Sequence, residues 1–144
     1  MALLTYHSLC IVSAPSSAKS ALGSHGSFQL RQNIQNLQQL FAGVYDQLEI
    51  EVDGQRIIMN HYPLLTWPHA FGQHPTWQLF GHVHLRKGIT GSDAFIVEQC
   101  CRPTQYEVGE HLNGYRPVSF HQLQERIDFQ IKNKCNVLNW LNYE

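Results

Sequence analysis

The sequence predicts an α+β fold, in which short strands of a mixed sheet are followed by a C-terminal helix. Residues 48–52 alternate apolar and charged side chains, and Asp53-Gly54 separates them from a second run, Arg56-Ile57-Ile58-Met59, which is apolar from residue 57. Asp-Gly between two such runs indicates a hairpin, because a type I′ turn needs a positive φ at both central positions. Ser119 and Gln122 form a capping box ahead of apolar residues at helical spacing. This pattern predicts a helix over residues 120–134.

The other elements are predicted by weaker patterns. Residues 1–30 are rich in Ser, Ala and Gly without sustained periodicity, so we expect a poorly ordered or divergent segment there. Apolar residues at three- and four-residue steps predict an amphipathic helix from Leu30 to Gly43. Prolines predict a loop over residues 62–77, followed by a short buried strand at Leu79-Phe80. Strands are also expected at residues 94–99 and 106–108. Residues 31–144 show no internal repeat or domain boundary, and we expect one domain.

Composition narrows the class of protein. With 43% apolar and 15% charged residues, the chain is typical of a globular protein rather than a disordered one. The net charge of −1 and the absence of a basic run do not indicate a nucleic-acid-binding surface, so nucleic acid is expected only as a possible substrate. No stretch approaches the roughly 20 apolar residues that span a bilayer, so no membrane association is expected. The four cysteines lack paired spacing, which favours reduced thiols and a cytoplasmic location.

Nine histidines are many for 144 residues, and their spacing directs attention to two places. Gly81-His82-Val83-His84 follows the predicted strand at Leu79-Phe80. On an extended chain, side chains at i and i+2 lie on one face, so His82 and His84 are expected to converge on one site or on two adjacent metal ions. His61 stands where the second hairpin strand ends. Each motif alone also fits a surface histidine or one that is hydrogen-bonded to backbone.

The motifs together resemble the calcineurin-like metallophosphoesterase family, in particular the C-terminal half of its small bacterial and phage-type members. The resemblance rests on four segments and covers a little over half of the chain: Asn60-His61-Tyr62-Pro63, Leu79-Phe80-Gly81-His82-Val83-His84, Tyr106-Glu107-Val108-Gly109 and Leu112-Asn113-Gly114-Tyr115-Arg116-Pro117-Val118-Ser119.

The resemblance implies a four-layer α/β sandwich, of which this chain would hold part, with a two-metal site at strand ends. It implies that His61 and His82 hold one metal ion and His84 the other. Mn²⁺, Fe or Zn²⁺ would suit imidazole and carboxylate ligands. The implied reaction is hydrolysis of phosphomonoesters or phosphodiesters by metal-bound hydroxide.

The chain departs from the family pattern ahead of His61. The family's D-x-H and G-D motifs, which supply carboxylate ligands, are absent there. The nearest counterpart of its third motif is Gly23-Ser24-His25-Gly26, which would make His25 the catalytic histidine; the alternative is a chance match in a Ser/Gly-rich loop. Three imidazoles without a bridging carboxylate bind one divalent ion moderately and two poorly, so occupancy of one or two sites is open.

Three functional interpretations remain open at this stage. The first is a truncated or degenerate phosphoesterase, active alone, as a homo-oligomer or with a complementing chain. The second is a non-catalytic binding or assembly module that retains half of the fold. The third is a small zinc domain that combines His61, His82 and His84 with a cysteine, although the cysteine spacing does not favour it.

Overall fold

The computed structural model describes residues 2–6, 9–13, 20–22, 44–45, 47–109 and 111–141. They form two mixed sheets and three helices, an α+β fold. The predicted helix from Leu30 to Gly43 and the candidate His25 lie outside the described residues. None of the helices in the described part of the chain is long and apolar enough to cross a membrane.

The first sheet is five-stranded. Its strands are β1 (Ala2–Tyr6), β2 (Leu9–Ser13), β3 (Ser20–Leu22), β4 (Val44–Tyr45) and β9 (Val118–Ser119), in the order β4-β3-β2-β1-β9. Only the β3–β4 pair is parallel. The sequence predicted no regular element before Leu30, so β1, β2 and β3 differ from that expectation.

The second sheet has the order β5-β6-β7-β8 and contains the core. Its strands are β5 (Gln47–Val52), β6 (Gln55–Asn60), β7 (Trp77–Phe80) and β8 (Gln105–Glu107). The β5–β6 pair is antiparallel, whereas β6, β7 and β8 are parallel neighbours. A hairpin, a strand at Leu79-Phe80 and a strand near residue 106 were all predicted, and the structure confirms them.

The hairpin turn has the conformation that the sequence requires. Asp53 and Gly54 have φ values of 51° and 80°, and Val52 pairs with Gln55 across the turn. Positive φ at both central residues defines the type I′ turn, which suits the twist of the flanking strands.

Helix α1 (Ser92–Cys100) corrects the prediction of a strand over residues 94–99. The apolar run Ala-Phe-Ile-Val is typical of a strand, but β7 and β8 are parallel neighbours and need a crossover connection, which is usually a helix. The amide of Asn136 also donates to the carbonyls of Val97 and Glu98, at 3.1 and 3.2 Å. Tertiary contacts therefore stabilise this helix end against the local preference.

Helix α2 (Phe120–Asn133) confirms the predicted C-terminal helix, and a short helix α3 (Val137–Leu141) follows it. The Ser119 hydroxyl accepts from the Gln122 amide at 3.2 Å, and the Gln122 side chain accepts from the Ser119 amide at 3.0 Å. Leu123 and Ile127 are fully buried against the second sheet's core, which α2 covers on one side.

Candidate functional site

The carboxyl ends of β6, β7 and β8 lie at one edge of the second sheet, because these strands are parallel neighbours. His61 directly follows β6, His82 comes two residues after β7, and Glu107 is the last residue of β8. Ligands in α/β sheets bind outside the carboxyl ends of parallel strands. We call this the histidine edge.

His61 and His82 are in direct contact. The Nε2 atom of His61 and the Nδ1 atom of His82 are 3.0 Å apart, a hydrogen bond in which one nitrogen donates and the other accepts. The amides of Gly81 and His82 also donate to the His61 carbonyl, at 3.1 and 3.0 Å. The ring of Tyr62 packs 4.4 Å from the His82 ring, between centroids. Backbone and side-chain contacts together fix both imidazoles.

The spacing of this pair is compatible with a shared metal ion. Two imidazole nitrogens bound at roughly 2.0–2.1 Å to one ion, at angles between tetrahedral and square, are roughly 2.9–3.4 Å apart. The nitrogens of His61 and His82 are separated by 3.0 Å. Because His61 is buried, its Nε2 atom is largely shielded from water, so the contact with His82 or coordination of an ion satisfies it.

His84 contacts another histidine, His111. An extended chain was expected over residues 82–84, but His82 and Val83 form a turn and His84 has a φ of 51°. Its ring packs 5.2 Å from that of His111, whose Nδ1 atom is 3.1 Å from the Tyr115 hydroxyl. The ring of His82 thus contacts that of His61, and the ring of His84 contacts that of His111.

Glu107 is the charged group most enclosed at the histidine edge. Its side chain is fully buried, and its Oε2 atom accepts from the Leu85 amide at 2.6 Å. Burial raises the pKa of this carboxyl to about 7, although hydrogen bonds from the Leu85 and His84 backbone oppose the rise. No described residue donates to the Oε1 atom. The carboxyl therefore anchors the turn that carries His84.

Gly109 leaves room for this carboxyl. A Cβ atom at Gly109 would lie 3.0 Å from the Oε1 atom of Glu107, a tighter contact than most real Cβ atoms make. The Glu-Val-Gly sequence at the end of β8 thus has a steric basis. Sequence analysis included this motif in the family resemblance but assigned Glu107 no role.

A small cavity of about 260 Å³ adjoins the histidine pair. It is lined by Tyr62, Pro63, His82, Val83, Asp93 and Ile96. Asp93 and Ile96 belong to α1, which the sequence did not predict, so nothing in the sequence indicated this side of the cavity. Because the cavity reaches His82, a small ligand bound in it would lie next to the imidazole pair.

No group of three or more His, Cys, Asp or Glu side chains that could hold a metal ion occurs within the described residues. The candidate ligands are divided between the His61–His82 pair, the His84–His111 contact and Glu107. Burial raises the pKa of the Cys101 thiol to about 12, which disfavours its thiolate form when no metal ion is bound. A third His, Cys, Asp or Glu ligand to the pair would come from residues outside the described set, from a second copy of the chain or from a complementing chain.

Comparisons with known proteins give little further guidance. No family model and no curated protein matches the chain. Among solved structures, it is similar to a protein of unknown function from Aquifex aeolicus, with 21% identity and a TM-score of 0.43. The alignment covers 65% of this chain and 54% of that one, so the chain spans about half the length of that protein.

Proposed function

We propose that this chain is a metal-dependent phosphoesterase of the calcineurin-like type, carrying part of that family's four-layer sandwich. The observation that carries the proposal is the 3.0 Å contact between His61 and His82 at the carboxyl edge of three parallel strands. The sequence motifs around these two histidines also support it, because their resemblance to the family implies that His61 and His82 bind one metal ion.

The side chains have distinct roles in this proposal. His61 and His82 hold one divalent ion, of Mn, Fe or Zn, through neutral imidazole nitrogens. Such an ion supplies activation of water and charge stabilisation at the phosphoryl oxygens. Glu107 holds the backbone of the turn that carries His84, which is the candidate ligand of a second ion. The cavity lined by Tyr62 and Asp93 accommodates part of the phosphate-ester substrate.

The described residues supply fewer ligands than a two-metal centre requires, since no set of three converges within them. A complete centre therefore needs His25 or other residues outside the described set, a second copy of the chain, or a complementing chain. The same observation favours a second candidate function, a non-catalytic binding or assembly module that retains half of the fold.

Metal content and turnover distinguish the two functions. We would load the purified chain with Mn²⁺, measure bound metal by mass spectrometry, and assay bis(p-nitrophenyl) phosphate and p-nitrophenyl phosphate. If the chain is a phosphoesterase, the wild type hydrolyses these substrates, and His61→Ala and His82→Ala each abolish both turnover and metal binding. His121→Ala is the matched control, because the His121 side chain is 79% exposed on α2 and far in sequence from the histidine edge.

Each result has a defined meaning. Turnover that survives in both His61→Ala and His82→Ala would refute the assignment of the site. At most one bound metal ion and no turnover in the wild type would refute a phosphoesterase that is active without a complementing chain, and would favour the module. Loss of activity in His121→Ala as well would indicate a general effect of histidine replacement rather than loss of a ligand.

A further inference from the structure

A second, larger cavity lies at the opposite end of the parallel strands from the histidine edge. Its volume is about 500 Å³, and the side chains that define its character are Phe71, Pro75, Arg102, Thr104, Ile131 and Lys134. Pro75 precedes β7 and Thr104 precedes β8, so both lie where these strands begin. This volume falls within the usual range for small-molecule sites, about 300–1,000 Å³.

The charged side chains that line this cavity are all positive. Arg102 and Lys134 line it, and none of the described lining residues is acidic. The guanidinium of Arg102 lies 4.3 Å from the Phe71 ring centroid. Among the described residues, the Arg102 guanidinium donates to the Leu65 carbonyl at 3.5 Å, and the buried Nε atom of Arg102 has no acceptor.

Arg102 is therefore poorly satisfied for a partly buried cation. A guanidinium carries five N–H donors in a planar fork, and buried polar groups are normally hydrogen-bonded. Its geometry matches the oxygens of a carboxylate or phosphate group. The missing acceptors point to an anion that the described residues do not supply.

The rim of the cavity is apolar. Phe71 is 66% exposed and Ile131 is 45% exposed, although both are large hydrophobic side chains. Arg102 lies over one face of the Phe71 ring, which holds the ring in place. An exposed, positioned aromatic ring beside an unsatisfied cation suits a ligand that has a flat apolar part and an oxyanion.

We infer that this cavity binds a small molecule that combines an aromatic ring with a phosphate group, as nucleoside monophosphates do. Arg102 and Lys134 hold the phosphate, while the ring of the ligand packs on Phe71 and Ile131. The inference is independent of the proposed phosphoesterase, because it uses none of the histidines.

Adenosine monophosphate is the probe, titrated into ¹⁵N-labelled chain at low salt and followed through backbone amide shifts. We expect saturable shifts around Phe71, Thr104 and Ile131. Adenosine and inorganic phosphate should each bind at least about tenfold more weakly, since each lacks one half of the recognised group.

Variants locate the site. Arg102→Gln should weaken binding of adenosine monophosphate about tenfold or more, the loss of a charge-assisted contact. Lys134→Asn should weaken it several-fold, and Asn suits the left-handed conformation of residue 134, whose φ is 52°. Lys132→Gln, an exposed cation two residues away on α2, is the matched control and should bind like the wild type. His82→Ala should also bind normally, whatever its effect on turnover.

Several results would overturn the inference. These are no saturable binding at millimolar ligand, equal binding by Arg102→Gln, equal binding of phosphate or adenosine, or loss of binding in His82→Ala. Far-UV circular dichroism checks that Arg102→Gln is folded; if it is not, unchanged affinity in Lys134→Asn refutes the assignment instead.

Discussion

Gln105 is the centre of a buried amide network whose loss should destabilise the fold strongly. Its side chain is fully buried; Nε2 donates to the Leu64 carbonyl at 2.9 Å and to Oε1 of Gln78 at 2.7 Å. Its Oε1 accepts from the Arg102 amide at 2.7 Å. Gln105→Met keeps the length of the side chain but leaves three partner atoms, one buried and two partly buried, with weakened or missing hydrogen bonds.

The expected loss follows from these three partners. Each buried polar group left unsatisfied costs about 1–3 kcal/mol, and a more apolar side chain returns about 1–2 kcal/mol through burial. We therefore expect the free energy of unfolding to fall by about 3 kcal/mol. This is a large part of the roughly 5–15 kcal/mol that stabilises a domain.

Urea denaturation followed by far-UV circular dichroism measures this loss, provided that the slope of unfolding free energy with urea stays constant. Gln124→Met is the matched control, because Gln124 is exposed on α2, and it should change stability by less than about 0.5 kcal/mol. A loss below about 1 kcal/mol in Gln105→Met would show that water or repacking replaces the amide contacts, and the reasoning from unsatisfied groups would be wrong.

Variants at three further positions test other features of the fold. The first is Glu107→Gln, compared with the wild type by its free energy of unfolding in a chelating buffer. Because the raised pKa of Glu107 favours the fold only while the carboxyl is protonated, the stability of the wild type relative to this variant should fall by up to about 3 kcal/mol between pH 4.5 and pH 7. A difference that does not change with pH would contradict this. Gly54→Ala should cost about 1 kcal/mol and Gly54→Asn less, since φ is 80° and open space surrounds the position; equal thermal midpoints would refute a conformational origin. Ser119→Ala should lower stability by about 1 kcal/mol through loss of the cap, which urea unfolding would detect, and Ser119→Asp should restore most of it.

The elements that the sequence predicted correctly are those with local determinants. The hairpin depends on Asp53-Gly54, and α2 depends on the contact between Ser119 and Gln122, which are three residues apart. A strand was wrongly predicted where helix α1 lies. The stability of this helix comes from its place between two parallel strands and from Asn136, more than thirty residues away in the chain. Periodicity over a short apolar run does not contain that information.

The candidate site shows the same division. The sequence indicated His61 and His82 through motifs at strand ends, and the structure brings them together. The sequence contains no signal for His111, because the contact of His111 with His84 depends on the turn after β7. The role of Glu107 was equally hidden, because burial of a carboxyl and its contact with the Leu85 amide arise only from the packed fold.

The parallel order of β6, β7 and β8 has a consequence for how the chain folds. The β5–β6 hairpin closes through two turn residues, whereas the β6–β7 and β7–β8 pairings must first close the loops of residues 61–76 and 81–104. Longer loops lose more chain entropy on closing, so we expect the hairpin to form first and β8 to dock last. The histidine edge would then be assembled in the late steps of folding. Pulsed hydrogen exchange that protected Leu79 and Tyr106 before Ile57 would contradict this order.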